Sequence, residues 1–303
     1  MVRVSVLNTK TWVVLLRKVL DELGFEVSND YSRSDVVFWF YGSALWQLKL
    51  WKLWFLRGKK VFVFWIGSDV LNFTRPKGLI MKFYVFLNKL LLRLISKKHD
   101  VKHLTSAPWL VSELRSVGVN AVFIPLQTIR EGNDYGRDWD EREFDYVSYL
   151  PLKNWFFYGG DKIRDLALSE PKKKFLIVIP DYNRDSPELN NQELLKKLPD
   201  NVVFTGWMLR EEYLRILGNS KYFLRLTKHD SLSCSVIEAL FNGCIVIWDY
   251  KDKIKGLKNL YSTRELIFFN KNEWGDNWEW NKKIILEKYS FKALKEKVRG
   301  LLG

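Results

Sequence analysis

Short, continuous apolar runs recur along the 303-residue chain, with helical patterns between them. Residues 2–7, 36–41 and 61–66 are such runs, and each ends at or near a polar or glycine turn. A strand that is apolar on both faces must be covered on both faces, and helices alternating with such strands imply a parallel sheet. Helices fit residues 11–23, stopped by Gly24, and 108–117, opened by Pro108 and stopped by Gly118, before a strand at 121–125. The second half repeats the rhythm, with strands expected at 146–150, 175–179, 202–205, 222–226, 245–248 and 266–269. Helices are expected at 161–168, 187–198, 210–217 and 231–241, and a last one runs from Ser290, an N-cap residue, to Gly300. Between the halves, residues 130–145 hold seven acids, three bases and two glycines with no apolar period. The expected α/β architecture is two Rossmann-like doubly wound domains, 1–126 and 146–303, joined by an acidic linker at 127–145 and facing a cleft. The final helix, 290–301, is a candidate to pack back on the first domain.

Hydrophobic residues make up 47% of the chain, enough for sizeable cores, which excludes intrinsic disorder. Two cysteines, Cys234 and Cys244, cannot build a disulfide scaffold and fit a reducing compartment. The first residues lack a leader pattern, so a cytoplasmic location is expected. The net charge is +14, and residues 43–103 alone carry +11. That region should meet something anionic: nucleic acid, phospholipid or a phosphorylated substrate.

Within it, Lys82, Lys89, Arg93 and Lys97 fall on one helical stripe of an otherwise apolar segment, 77–98. A membrane-spanning helix would not carry these charges. An interfacial helix would, with cations toward headgroups and apolar groups toward acyl chains or core. Trp46, Trp51, Trp54 and Phe55 among Lys49, Lys52, Arg57, Lys59 and Lys60 form a neighbour of the same character. The competing reading is a core helix with one solvated basic face. The long apolar stretch argues against nucleic acid, so the expected partner is an anionic membrane surface met peripherally.

The chemistry concentrates between residues 200 and 250. A strand ends at Arg225 and Leu226, a polar loop follows, and a helix is expected to open at Ser231. A helix N-terminus beside a strand end is an anion site suited to a diphosphate. Glu238 would lie two turns in, aligned with Ser231 and Ser235, where a carboxylate can accept hydrogen bonds from a ribose diol. Asp230 and Glu238, then Ala239, Gly243 and the buried Ile245-Val246-Ile247, preceded by Phe204-Thr205-Gly206, resemble the nucleotide-binding half of GT-B glycosyltransferases. The similarity is to the retaining enzymes of glycosyltransferase family 4.

That resemblance implies hexosyl-type transfer from a nucleotide-sugar co-substrate, without a cofactor and with retained anomeric configuration. It implies that Glu238 binds the ribose, Asp230 contacts the transferred sugar, and Ser231, Leu232 and Ser233 offer donors to the phosphates. The chain departs from the family in having Asp230-Ser231 where Glu-Gly is usual. It also lacks the usual Gly-Arg and Lys on the first loop of the second domain, and Lys153 and Arg225 are the substitute phosphate cations. His229, beside Asp230, is placed to touch the donor sugar. In the first domain, Asp69 follows a buried strand and could deprotonate an acceptor hydroxyl or serve as a turn or cap residue. Lys10 and Thr11 are weaker phosphate candidates.

Asp138-Trp139-Asp140 matches the two-acid pattern of metal-dependent glycosyltransferases, but it falls in the acidic linker, so no required metal is expected. His99, His103 and His229 lack zinc-like spacing, and the first two are expected on a helix surface. The expected acceptor is lipid-linked or membrane-proximal. The rival function is a non-catalytic basic protein binding nucleic acid or an anionic polymer on a decayed GT-B scaffold.

Overall fold

The computed structural model describes residues 2–7, 11–40, 58–126, 128–129, 131–182, 192–248, 256–261 and 271–303. It divides into two compact units, Met1–Leu126 with Phe291–Gly303, and Gln127–Ser290. The strand expected at 266–269, the start of the 187–198 helix, Lys10 and the aromatic, basic stretch 46–57 lie outside the described residues, as do the side chains of residues 11–13.

In chain order the first unit contains β1 (Arg3–Leu7), α1 (Thr11–Glu22), β2 (Glu26–Ser28), β3 (Val36–Phe40), β4 (Lys60–Trp65), α2 (Gly67–Thr74), α3 (Gly78–Ser96), β5 (Asp100–Thr105), α4 (Pro108–Arg115) and β6 (Ala121–Phe123). These strands form one parallel sheet in the order β2-β1-β3-β4-β5-β6. All five residues of β3 are buried, as a strand covered on both faces requires. Phe38 stacks on Phe62 and Phe40 on Phe64 across the β3–β4 pair, with centroids 4.8 and 4.9 Å apart, which fixes the register.

Strand β5 had no continuous apolar run to announce it, since only Leu104 and Thr105 of its six residues are buried. His99 and His103 are therefore not helix-surface residues. His99 is buried where the chain enters β5, and its Nδ1 accepts the Lys59 backbone N–H at 3.3 Å. His103 sits within the strand, and its Nδ1 accepts the Trp65 indole N–H at 3.1 Å. Burial lowers the His103 pKa to about 4.

The second unit contains β7 (Phe144–Tyr149), α5 (Gly160–Ser169), β8 (Phe175–Val178), α6 (Gln192–Leu195), β9 (Val202–Thr205), α7 (Arg210–Gly218), β10 (Ser220–Arg225), α8 (Cys234–Phe241), β11 (Ile245–Trp248), β12 (Leu260–Tyr261) and α9 (Trp274–Tyr289). Its sheet is also parallel, in the order β12-β11-β10-β7-β8-β9.

The acidic stretch expected to be a linker is folded onto this unit. Arg142, buried, donates to the carbonyls of Arg137, Ser220 and Asn242 at 2.9, 2.7 and 3.2 Å. Its guanidinium stacks over Trp274 at 4.9 Å, and Trp139 packs edge-on against Tyr222 at 5.4 Å. One arginine and one tryptophan thus anchor a segment whose composition is that of a solvated loop. The last helix, α10 (Phe291–Leu302), belongs to the first unit rather than ending the second. Its Leu294 and Val298 join Leu16 and Leu20 in the first core, and Lys295 pairs with Glu22 at 3.0 Å.

Candidate active site

Parallel strands place all their carboxyl ends on one edge of a sheet, where doubly wound folds bind ligands. On the second unit, the loop after β7 is pinned by Asp181, whose carboxylate accepts the backbone N–H groups of Leu152 and Lys153 at 2.7 and 3.0 Å. The Lys153 backbone is thereby fixed while its side chain stays exposed. The same loop reaches the loop after β10: Lys228 N–H donates to the Phe157 carbonyl at 3.0 Å. Gly159 makes this approach possible, because its φ is +77° and a Cβ there would lie 2.6 Å from the Leu226 carbonyl oxygen.

Arg225, the last residue of β10, meets Asp230 across the loop. Its Nε and Nη2 donate to the two carboxylate oxygens at 2.8 and 2.9 Å, and the guanidinium lies 4.7 Å over the Tyr158 ring. Burial works against the Arg225 charge, but Asp230 outweighs it, so the pKa is raised. A fork-to-fork pair of this kind is among the stronger charge-assisted contacts. Two residues expected to serve separate parts of a ligand are thus joined to each other, and Arg225 orients Asp230. Thr227 Oγ1 donates to the carbonyl of His229, which is itself buried.

The helix expected from Ser231 begins at Cys234. Leu232 is buried and holds the preceding segment down, and Ser233 is the N-cap in an extended conformation. Ser231 is therefore not in helical alignment with Ser235 and Glu238, and Glu238 lies one turn into α8 rather than two. Ser233 makes no side-chain cap; its hydroxyl pairs with that of Ser235 at 2.7 Å. The first-turn N–H groups of α8 are thus not taken up by a side-chain cap at Ser233.

Glu238 is 6% exposed. Arg210, the first residue of α7, donates to Glu238 Oε1 from Nε at 2.9 Å and lies 2.7 Å from it at Nη2. Burial raises the Glu238 pKa and Arg210 opposes it. Arg210 is half exposed, so a cation reaches the surface beside this carboxylate. No spacing rule connects positions 210 and 238; only the packing of α7 beside α8 does. At the carboxyl end of β9, a cavity of about 610 Å³ is lined by Tyr182, Gly206, Trp207, Met208 and Ile216 among others.

In the first unit, Asp69 is not on a turn after β4 but is the third residue of α2, which opens directly at Gly67. It is 5% exposed, and burial raises its carboxyl pKa to about 7, with a backbone hydrogen bond at Ile66 pulling the other way. Lys82 and Arg93 are exposed on α3, Lys97 caps its C-terminus, and Lys89 lies 5.4 Å over the Phe73 ring. The Asp138-Trp139-Asp140 segment forms a single 3-10 turn at Trp139–Glu141. Among the described residues, no group of three His, Cys, Asp or Glu side chains is arranged to hold a metal ion.

No family model matches the chain, and no curated protein does. Solved structures match its fold over nearly its whole length. Anabaena HepE, solved in complex with UDP, aligns over 100% of this chain and 99% of its own, at a TM-score of 0.69 and 10% identity. A glycosyltransferase from Rickettsia africae covers 99% of this chain and 97% of its own, at 0.65 and 11% identity. Sucrose-phosphate synthase from Thermosynechococcus elongatus covers 97% of this chain and 78% of its own, at 0.64 and 14%. The chain has the GT-B glycosyltransferase fold. Within that GT-B chain, Asp230 and Glu238 both sit at the carboxyl edge of the second sheet, each held by an arginine.

Proposed function

We propose that this GT-B chain transfers a sugar from a nucleotide-sugar to a hydroxyl acceptor, as a retaining, metal-independent enzyme akin to glycosyltransferase family 4. The observation that carries the reading is Glu238, buried yet paired with Arg210 beside the N-terminus of α8. A buried carboxylate with a cation beside it is suited to accept hydrogen bonds from both hydroxyls of a ribose. The diphosphate would lie against the first turn of α8 and its lead-in Ser231, Leu232 and Ser233, with Lys153 and Arg210 as cations and His229 alongside. Those groups face the charge that grows on the leaving diphosphate as the glycosyl bond breaks. The cavity walled by Trp207 and Tyr182 suits a flat heteroaromatic base. Asp230, held by Arg225, would contact the transferred sugar.

A carboxyl whose pKa is near neutrality is matched to accepting the acceptor hydroxyl's proton, which is the role of Asp69 in this reading. The acceptor is lipid-linked or membrane-proximal and the chain acts peripherally at the cytoplasmic face of a membrane. The +11 charge of residues 43–103 supports that assignment. Among the described residues, no helix is long and apolar enough to cross a membrane.

A thermal-shift screen against UDP-, GDP- and dTDP-sugars tests the donor half, with UDP-sugars expected to stabilise the chain and Glu238→Ala to shrink the shift markedly. A decayed scaffold that only binds anionic polymers would show no shift with any donor and would be indifferent to Glu238→Ala.

A further inference from the structure

We infer that α3 is a membrane-docking helix. The ridge formed by Leu79, Ile80, Phe83, Phe86 and Leu90 enters the acyl boundary of an anionic bilayer while Lys82, Arg93 and Lys97 meet its headgroups. The inference deepens the membrane-proximal reading by naming the face and the lipid class, and it is independent of the donor chemistry.

Helix α3 packs on the first unit through Val85, Asn88, Leu92 and Ile95. At 3.6 residues per turn these lie on one side. The opposite side should be polar in a helix that faces only water. Instead Leu79, Ile80, Phe83, Phe86 and Leu90 are exposed by 84%, 75%, 59%, 63% and 46%. Contiguous exposed apolar side chains on this scale mark an interaction surface. Residues 82, 89 and 93 fall together on one flank, between the buried side and the exposed ridge, and no acid occurs anywhere in the helix. α3 thus has a core-facing side and also a solvent-facing apolar side, with the cations between them.

The charge selects the occupant. A second copy of this chain would bring its own cationic flank and the same +11 region against the first, a like-charge contact. An anionic bilayer offers hydrocarbon for the ridge and phosphates for the flank in one planar surface. A helix with this division lies in the interface, its apolar side sunk about 5–10 Å into the headgroup and acyl boundary. Long cationic side chains on the flank can reach back to the phosphates at that depth.

Co-flotation of the full chain tests this, using vesicles of phosphatidylcholine alone and vesicles with about one-third phosphatidylglycerol. The chain should float with the anionic vesicles, and part of the binding should survive high salt, because apolar insertion is not screened. Phe83→Gln with Phe86→Gln should lower the partition about tenfold or more. Melting temperature and any nucleotide-sugar shift should stay unchanged in that variant. Lys82→Ala with Arg93→Ala should lower it about tenfold on anionic vesicles only. The inference fails if the chain does not float, if the phenylalanine variant floats as well as the wild type, or if high salt removes all binding. It fails equally if the ridge instead mediates a concentration-dependent dimer that the phenylalanine variant abolishes. A protein that binds nucleotide-sugar but not vesicles would overturn this inference and leave the donor reading standing; the reverse result would do the opposite.

Discussion

In the second unit, acids are buried with cations: Asp230 with Arg225, and Glu238 with Arg210. In the first unit, buried Asp69 and half-buried His103 lie where desolvation favours the uncharged form, with pKa values of about 7 and about 4. The cations of its α3 remain along the helix flank. Under the function proposed above, the contrast would follow ligand chemistry. A site for a charged diphosphate and a ribose needs ionised groups held in place, which burial permits only in pairs. A site that handles a neutral hydroxyl needs a group able to gain or lose a proton near neutral pH.

Breaking the Arg225–Asp230 pair should have the largest effect. Arg225→Met leaves a buried carboxylate and should cost about 3–5 kcal/mol, read from the denaturation midpoint. Adding Asp230→Asn should recover much of it. A double variant no more stable than the single would mean that the charge pairing is not what holds the loop.

Asp69 tests the other side of the contrast. Its folded-state pKa of about 7 lies above the ordinary value of 3.8. Its contribution to stability is thus fully present below about pH 4 and is lost as pH rises toward 7. Asp69→Asn should remove that dependence and stabilise the chain at pH 8, by at most about 4 kcal/mol, while sugar transfer falls. His103 runs the opposite way, because its folded pKa is depressed from 6.5 to about 4. Its contribution is present above pH 6.5 and lost as pH falls toward 4, so His103→Gln should flatten the acid side of the stability curve. Melting curves of wild type and both variants across this range would separate the two; parallel curves would show that neither group is buried uncharged.

A smaller effect is expected at the second pair. Glu238→Ala should weaken nucleotide-sugar binding about 10–100-fold, measured by calorimetry. Arg210→Met should weaken it about tenfold at neutral pH and also shift its pH dependence. Arg210 opposes the upward push of burial on Glu238, so its removal should make binding fail at a higher pH as the carboxylate protonates. Coincident pH profiles would show that Arg210 does not lower the Glu238 pKa. Smallest of all, Lys82→Ala should change stability by no more than about 0.5 kcal/mol, since the side chain is exposed, yet reduce affinity for anionic vesicles severalfold.

Much of the fold was legible because its central strands, β3 and β11 throughout and β4 after Lys60, are apolar and cannot be mistaken for loops. Strand β5 was not, since Asp100, Lys102 and His103 interrupt its pattern and its burial comes from Leu104, Thr105 and its neighbours. Helix α9 was also missed: Trp274, Trp278 and Trp280 give it no clean apolar period, and their indole N–H groups instead donate to the carbonyls of Gly243, Phe241 and Gly256. At the site, the order of Asp230, Glu238, Ala239 and Gly243 was readable. The start of α8 was misplaced because three serines near 231–235 each make a plausible cap, and the burial of Leu232 decided among them.

The sequence by itself determined the class of fold and the presence of a motif at a strand end. Both depend on local periodicity and on residues close together in the chain. Only the tertiary structure decided which charges face each other. The pairing of Arg210 with Glu238, the capture of Arg225 by Asp230, the return of α10 to the first core and the exposure of the α3 ridge all join or separate residues through packing. No spacing rule carries that information, because each depends on which surfaces distant segments cover.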